Sequence, residues 1–496
     1  NSAEVGDRAN DAIRINGKEL NCKVIGEGGN LGCTQLGRIE YCLNGGMMNT
    51  DAVDNSAGVD CSDNEVNIKI LLNSIVADGK MTQKQRDTLL EAMTDDVADL
   101  VLRDNYLQSQ AISIAKSSSI RQLDSFTRYL DDLEETANLD REMEFLPDDE
   151  EMIEREESSL GLPRPENSVL IAYAKTSLFD SLMASDFLDD PYLEKFLFSS
   201  FPKRLSEDYK KEMRNHQLRS QIIAKVICND IVNRGGIQSI KEETGASGAE
   251  IARAAIITNE VFELDNLWDQ IEKLDHIAPS TIQILMLMDV EEFARRQTIW
   301  FLNNTDSKQP VQNIIDNYKP GIVELHNMNT GTEKCSDDSF NTKKNMYTEQ
   351  SVDEDLAQHI ASLDIKTAAC DLVQVAKELN VDVTQVATAY FMLGDELGFD
   401  WLRSQAEMVE TADHWDRLAV NSILGDLQDQ QKILTRTTLN GCKDKDCLIS
   451  AKKWVSDNQS STLRVRNLLQ DFQSSGTINV TKMGFAARQI RNVIVD

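Results

Sequence analysis

The sequence predicts a mainly α protein with a short α/β front, followed by a large multi-helix region. Three observations carry this. A strand-like run, Leu20-Asn-Cys-Lys-Val-Ile25, leads into Ile25-Gly-Glu-Gly-Gly-Asn30, a stretch almost free of bulky side chains. A second small-residue segment, Asp54-Asn-Ser-Ala-Gly-Val-Asp-Cys-Ser62, precedes an apolar run. From Thr82 onward, apolar residues recur at helical spacing through most of the chain.

In chain order, the turn after Ile25 comes first. Gly26, Gly28, Gly29 and Gly32 can take positive φ without a Cβ clash, and the Asn30 amide can both donate and accept hydrogen bonds. Loops at strand ends of open parallel sheets are where dinucleotides bind. The glycines miss the G-x-G-x-x-G spacing by one residue, so a phosphate cradle is not expected. Two readings stand: a ligand loop, or a plain turn into a helix over Gln35–Asn44. Asp51–Val53 reads as the close of a second strand, and Asn55-Ser-Ala-Gly58 as a tight turn. Ser62-Asp-Asn-Glu65 has capping-box spacing ahead of Val66, Ile68, Ile70, Leu71 and Leu72. Ser62 therefore caps a helix, or offers a carboxylate site with the exposed N–H groups of a helix start.

The spacing then predicts a long helix or helical pair over Thr82–Lys116 and another run over Ile120–Glu144. The acidic tract Asp148–Glu157 reads as a solvated face or connector. Amphipathic segments follow at Val169–Ala184, Tyr192–Ser199, Glu207–Asn233, Gly248–Lys273 and Ser280–Asn303. The polar stretch Asp306–Ser351 reads as a linker or irregular excursion, and helical pattern resumes at Asp353. Ser247-Gly-Ala-Glu-Ile-Ala-Arg-Ala-Ala255 matches Asp382-Val-Thr-Gln-Val-Ala-Thr-Ala-Tyr390 without a gap, both with capping-box spacing. Either a helical unit is duplicated, or two well-capped amphipathic helices share a pattern.

Composition narrows the function. Lys plus Arg total 51 against 83 Asp plus Glu, a net charge of −32, which opposes binding to nucleic acid or an anionic membrane surface. No stretch approaches the roughly 20 apolar residues needed to span a bilayer, and no signal peptide is evident. Nine thinly spread cysteines imply reduced thiols and a cytoplasmic protein. Cys442-x4-Cys447 lacks further zinc ligands, and His216, His276, His326, His359 and His414 are scattered, so no metal site is expected.

Val24-Ile-Gly-Glu-Gly-Gly-Asn-Leu-Gly-Cys-Thr-Gln-Leu-Gly-Arg-Ile-Glu40 and Asp54–Lys69 resemble the end of the catalytic region in the large bacterial NAD-specific glutamate dehydrogenases. Leu100–Gln108, Gly161-Leu-Pro-Arg-Pro-Glu166, Glu243–Ser247 and Leu397–Leu402 extend the resemblance over nearly the whole chain. It implies that residues 1–76 are the C-terminal part of a Rossmann-like NAD-binding catalytic domain. Long helices and an acidic connector (77–166), a helical domain (167–305), the polar segment 306–351 and a C-terminal helical domain (352–496) follow. Glu27-Gly-Gly-Asn30 is similar to the E-G-A-N turn of the smaller enzymes, and Asn55-Ser-Ala-Gly58 to their N-A-G-G segment. Gly28, Asn30 and Asn55 would then lie against NAD, and Asn55, Val59 and Ser62 against glutamate, with Ser62 on its side-chain carboxylate. Ser56, Ala57 and Asp60 depart from the smaller enzymes' pattern.

The family's catalytic lysine and aspartate belong upstream of this stretch, and none of Lys18, Lys23 or Lys69 sits in a matching motif. No catalytic residue is therefore expected here. The implied function is the C-terminal portion of an enzyme converting L-glutamate to 2-oxoglutarate, inactive alone, with the rest of the parent enzyme and a homo-oligomer as partners. The alternative is a helical oligomerisation or regulatory module without a catalytic role.

Overall fold

The computed structural model describes residues 8–120, 123–328, 338–407, 409, 414–441, 446–476 and 478–495. Among these the α/β front is absent: there is no strand and no sheet, and the fold is all-α. Val24 and Met47 form a single isolated parallel bridge. Ile25 N–H donates to Met47 O (3.0 Å) and Met47 N–H to Lys23 O (2.9 Å). The reason it goes no further is local. The Gly-rich turn takes one backbone away after Ile25, and a helix start at Thr50 takes the other, so no ladder can propagate. The Rossmann-like reading of residues 1–76 is corrected accordingly, as is the strand expected at Asp51–Val53.

The chain divides into two compact units, Asn1–Ile256 with Phe301–Val311, and Ile257–Trp300 with Gln312–Asp496. The first begins with α1 (Gln35–Leu43), where Thr34 Oγ1 accepts from Gly37 N–H, then α2 (Asp51–Asp54) and α3 (Ser56–Ala77). The Thr82–Lys116 pattern resolves into α4 (Gln83–Ala92) and α5 (Thr94–Ser119), broken at Met93. Next come α6 (Leu123–Ala137), α7 (Asp149–Glu157) and α8 (Arg164–Met183). Short helical turns lead to α9 (Arg219–Asn233). Helix α8 is the hub, packing against α1, α5, α6 and α9.

Of the two readings of the acidic tract, the solvated face is the one seen: Asp149, Glu150, Glu151, Glu154, Glu156 and Glu157 are exposed on a short helix. Asp148 accepts from Glu151 N–H (2.9 Å), and Asp149, Glu150 and Glu151 occupy the first turn of α7, where carboxylates favour the helix dipole. Met152 tucks into the core of Leu130, Leu133, Leu162 and Leu170, and Arg155 pairs with the fully buried Glu166.

The two segments matched in the sequence lie along the helices that follow. Helix α10 (Gln238–Thr244) ends at Gly245, φ 68°; α11 (Gly248–Phe262) ends at Glu263, φ 55°; α12 (Leu264–Glu272) and α13 (Ser280–Asn304) follow. After α14 (Val311–Asn327) and shorter helices, α15 (Ala369–Leu379) ends at Asn380, φ 53°. Then α16 (Val383–Leu397) ends at Gly398, φ 72°, followed by α17 (Phe399–Glu407) and α18 (His414–Leu439). The ungapped register that pairs Ser247 with Asp382 also pairs both left-handed stops and matches the lengths, 15 residues then 9, in each copy.

Both N-caps hold: Glu250 N–H donates to Ser247 Oγ (3.3 Å), and Thr384 N–H to Asp382 Oδ1 (2.9 Å). In each copy the first long helix packs on the 25- or 26-residue one. Phe262 meets Phe293 edge-on at 4.9 Å, and Gln431 Nε2 donates to Tyr390 O (3.0 Å). The left-handed stops and equal helix lengths carry the match beyond the apolar pattern.

The polar stretch Asp306–Ser351 is largely helical, carrying α14 with Pro320 inside it and Asp338–Thr348; its centre, 329–337, lies outside the described residues. Val311, Ile314, Ile315, Ile322 and Tyr347 are buried there, a period the Asn and Asp content hides. Helices α19 (Cys447–Asp457), α20 (Gln459–Ser474) and α21 (Val480–Val495) complete the fold, with α16 packed against α15, α18, α19 and α20.

Candidate functional site

The turn after Ile25 and the α2–α3 junction meet. Asn55 Nδ2 donates to Asn30 Oδ1 at 2.9 Å. Around this contact, carboxylates of one segment collect backbone N–H groups of the other. Asp54 Oδ2 accepts from Glu27 N–H and Asp51 Oδ2 from Leu31 N–H, both at 2.8 Å. Below them Arg38, on α1, reaches Glu27 through Nε (2.6 Å) and Nη2 (3.1 Å), and Asp51 through Nη2 (3.1 Å). Glu27 and Arg38 are 5% and 6% exposed, so this is a buried, doubly bonded pair, the geometry in which ion pairing offsets desolvation.

Burial alone would lower the Arg38 pKa. The Glu27 hydrogen bond and charge, with Asp51, outweigh it and leave the guanidinium raised. For Asp51, burial pulls upward, but the Leu31 N–H and the Arg38 charge hold the carboxyl below its ordinary value. Both remain ionised near neutral pH, so the turn is fixed by full charges.

A second tie comes from the motif Gly161–Glu166. Arg164 Nε donates to Asn49 Oδ1 (2.8 Å), and Asn49 Nδ2 donates to Asp54 Oδ1 (2.8 Å). Asp54 thus links Arg164, at the start of α8, to the backbone of Glu27. Sequence reasoning singled out neither Arg38, Asp51, Asp54, Asn49 nor Arg164. The signal lay in charges flanking a glycine-rich turn, which need partners, but their partners are remote in sequence.

The glycines do not use the freedom expected of them. The left-handed residue of the turn is Leu31, φ 64°, rather than Gly26, Gly28, Gly29 or Gly32. At Gly28 an added Cβ would meet nothing within 4 Å, so the turn presents open backbone. Ser62 is not a helix cap either: α3 begins six residues earlier, at Ser56, with Asn55 as N-cap, and Ser62 Oγ donates to Gly58 O (3.2 Å) inside the helix. Its spacing to Glu65 mimics a capping box, but Asn55 has already broken the backbone.

The expected substrate residues still share one face. Asn55, Val59 and Ser62 stand at i, i+4 and i+7 along α3, with Val59 68% exposed and Ser62 exposed. Asn30 and Gly28 are exposed beside Asn55. The structure thus joins Asn30 to Asn55 and sets Val59 and Ser62 along the same side of α3, with Gly28 two residues before Asn30 on the exposed turn. With Asn55 Nδ2 spent on Asn30, the pair still presents the Asn30 NH₂ and the Asn55 carbonyl, a donor and an acceptor suited to a primary carboxamide. Among the described residues no cluster of three His, Cys, Asp or Glu could hold a metal, and no helix is long and apolar enough to cross a membrane.

Comparison with known proteins places the chain in a family. Residues 159–492 match the family described as glutamate dehydrogenase, C-terminal, and residues 1–115 that of the bacterial NAD-glutamate dehydrogenase catalytic domain. The chain is 38% identical over 493 residues to an NAD-specific glutamate dehydrogenase of Halomonas elongata, covering 98% of this chain and 30% of the relative. Against the Pseudomonas aeruginosa enzyme of that name the identity is 37%, with 99% and 31% covered. Against that of Mycobacterium tuberculosis it is 33%, with 99% and 30%. The chain spans about a third of the length of these relatives, and it belongs, as a C-terminal portion, to the large bacterial NAD-specific glutamate dehydrogenase family.

Proposed function

We propose that this chain supplies one wall of the cofactor and substrate cleft of an NAD-dependent glutamate dehydrogenase, joined to a large helical region. The Asn30–Asn55 hydrogen bond is the observation that carries it, because it sets the open glycine turn beside the Asn55, Val59 and Ser62 face. Gly28, Asn30 and Asn55 fit the nicotinamide end of NAD: the backbone at Gly28 is unobstructed and the amide pair complements a carboxamide. Bound there, NAD supplies the hydride acceptor.

Asn55 and Val59 orient the substrate, Val59 by apolar contact with its methylenes. Ser62, exposed in the second turn of α3, donates to the side-chain carboxylate of L-glutamate or 2-oxoglutarate, exchanging its Gly58 contact for a charged acceptor. None of these residues moves a proton, so proton transfer belongs to the rest of the parent enzyme. The helical region serves assembly of a homo-oligomer, and Cys22, Cys33, Cys42, Cys61, Cys228, Cys370 and Cys447 form no disulfide among the described residues, which suits a cytoplasmic enzyme.

The test is Ser62→Ala in the longer enzyme that carries this chain. A hydrogen bond to a charged group is worth about 1.5–3 kcal/mol, so KM for glutamate should rise roughly ten-fold or more while KM for NAD stays put. An unchanged glutamate KM refutes the assignment.

A further inference from the structure

The recognition face of α3 has a structural peculiarity. The buried side chains of this helix are Ile68, Leu71, Leu72 and Ile75, all in its second half. Between Ser56 and Asn67, the stretch that carries Val59 and Ser62, no residue is buried. Apolar packing therefore cannot fix where those turns point.

Polar ties hold them instead. Ser56 Oγ donates to Asn105 Oδ1 of α5 (2.5 Å), and the backbone carbonyl of Asn67 meets His216 Nε2 (3.0 Å). Between these anchors Lys225, on α9, places its ammonium 2.6 Å from Asp60 Oδ1 and 3.1 Å from Asp63 Oδ2. Asp60 directly follows Val59, and Asp63 directly follows Ser62.

Two more charged groups complete the cluster. Asp104, on α5, lies within hydrogen-bonding reach of Asp60, and Lys175, on α8, donates to Gln108 Oε1 one turn further along α5 (3.0 Å). Burial and the Asp60 charge push the Asp104 carboxyl up to about 6, while burial brings Lys175 down to about 8. Asp60 Oδ2 is buried without a hydrogen-bond donor among the described residues, which a proton on Asp104 would satisfy. Helix α3 and most of α5 fall in the catalytic-domain match; α8 and α9 fall in the C-terminal match.

We propose that Lys225 is a positioning residue for glutamate recognition, acting through Asp60 and Asp63 to hold the first turns of α3, so that the C-terminal helical region sets the pose of the cleft wall. This rests on the assignment of Val59 and Ser62 above. The lysine touches no substrate; it replaces the apolar anchor those turns lack. An ammonium bridging two carboxylates on one helix face fixes both the distance and the rotation of that face.

Two measurements separate this inference from the assignment it rests on. In the present chain, Lys225→Met should speed amide hydrogen exchange over residues 56–66 by about ten-fold, with Lys225→Arg restoring it, while exchange over 68–77 is unchanged. In the longer enzyme the methionine variant should raise glutamate KM roughly ten-fold with a smaller change in kcat, and arginine should rescue it. If the methionine variant does not fold, Lys225→Gln gives the same comparison at smaller amplitude. Unchanged exchange in the variant that folds overturns the inference. So does faster exchange with unchanged KM, provided Ser62→Ala raises KM; if Ser62→Ala also leaves KM unchanged, it is the assignment of the face that fails.

Discussion

Asp104 shows how one carboxyl reports on its surroundings. Burial first, and the neighbouring Asp60 charge second, raise its pKa from 3.8 to about 6, against the opposing charges of Lys225 and Lys175. The folded state therefore holds this proton more tightly than the unfolded chain does. The group's contribution to stability is greatest below about pH 4 and is lost as pH rises through about 6. Asp104→Asn removes that loss and gives Asp60 Oδ2 a donor. Its Tm should match the parent near pH 4 and exceed it near pH 7, in thermal melts of both proteins across that range; a difference that shrinks toward pH 7 contradicts the assignment. At this scale the sequence was half legible. The residues proposed to face the ligand, Gly28, Asn30, Asn55, Val59 and Ser62, stand out because small and amide side chains cluster there. The groups that hold them do not, because Lys225 lies 165 positions from Asp60 and Arg164 lies 115 from Asn49. A charged residue announces that it needs a partner without saying which one.

Among the elements, the matched register makes an asymmetric prediction. Its second stop is Gly398, φ 72°, where an added Cβ would meet Leu469 Cδ1 at 2.4 Å; the first is Glu263, φ 55°, a conformation costly to a side chain. Gly398→Ala should destabilise by about 1–2 kcal/mol or more, whereas Glu263→Gly should be neutral or stabilising by up to about 1 kcal/mol, the exposed Lys319 pair adding little. Urea unfolding of the two variants measures both; equal losses would mean the stops are not equivalent. Helices with a clear period, such as Thr94–Ser119 and Ser280–Asn304, were readable from the residues. The front was not. Leu20–Ile25 has strand-like residues, but a strand exists only with neighbours, and here the second backbone turns helical at Thr50 after one bridge. Ser62 misled for a related reason: its capping-box spacing is real, yet a cap needs a non-helical backbone, and Asn55 supplies it seven residues earlier.

For the molecule as a whole, the dominant quantity is the net charge of −32. Local pairs such as Arg38 with Glu27 and Lys225 with Asp60 are short, close and weakly screened, while repulsion among the surplus carboxylates acts at longer range. Raising salt from roughly 10 to 150 mM shortens the screening length from about 30 to 8 Å, which weakens the long-range term most. The Tm should rise over that interval in scanning calorimetry at fixed pH, and a fall would mean that the ion pairs dominate. The two family matches, 1–115 and 159–492, also differ from the compact unit Asn1–Ile256, which takes in the first and the opening helices of the second. Homology boundaries and folding boundaries thus disagree. Severing the polypeptide between those matches would strip Arg164 from Asn49 and Lys225 from Asp60 at one stroke, leaving the amino-terminal piece with stranded acids and an unsupported helix. An expression clone trimmed to the catalytic signature would inherit the glycine turn and α3 without their scaffolding.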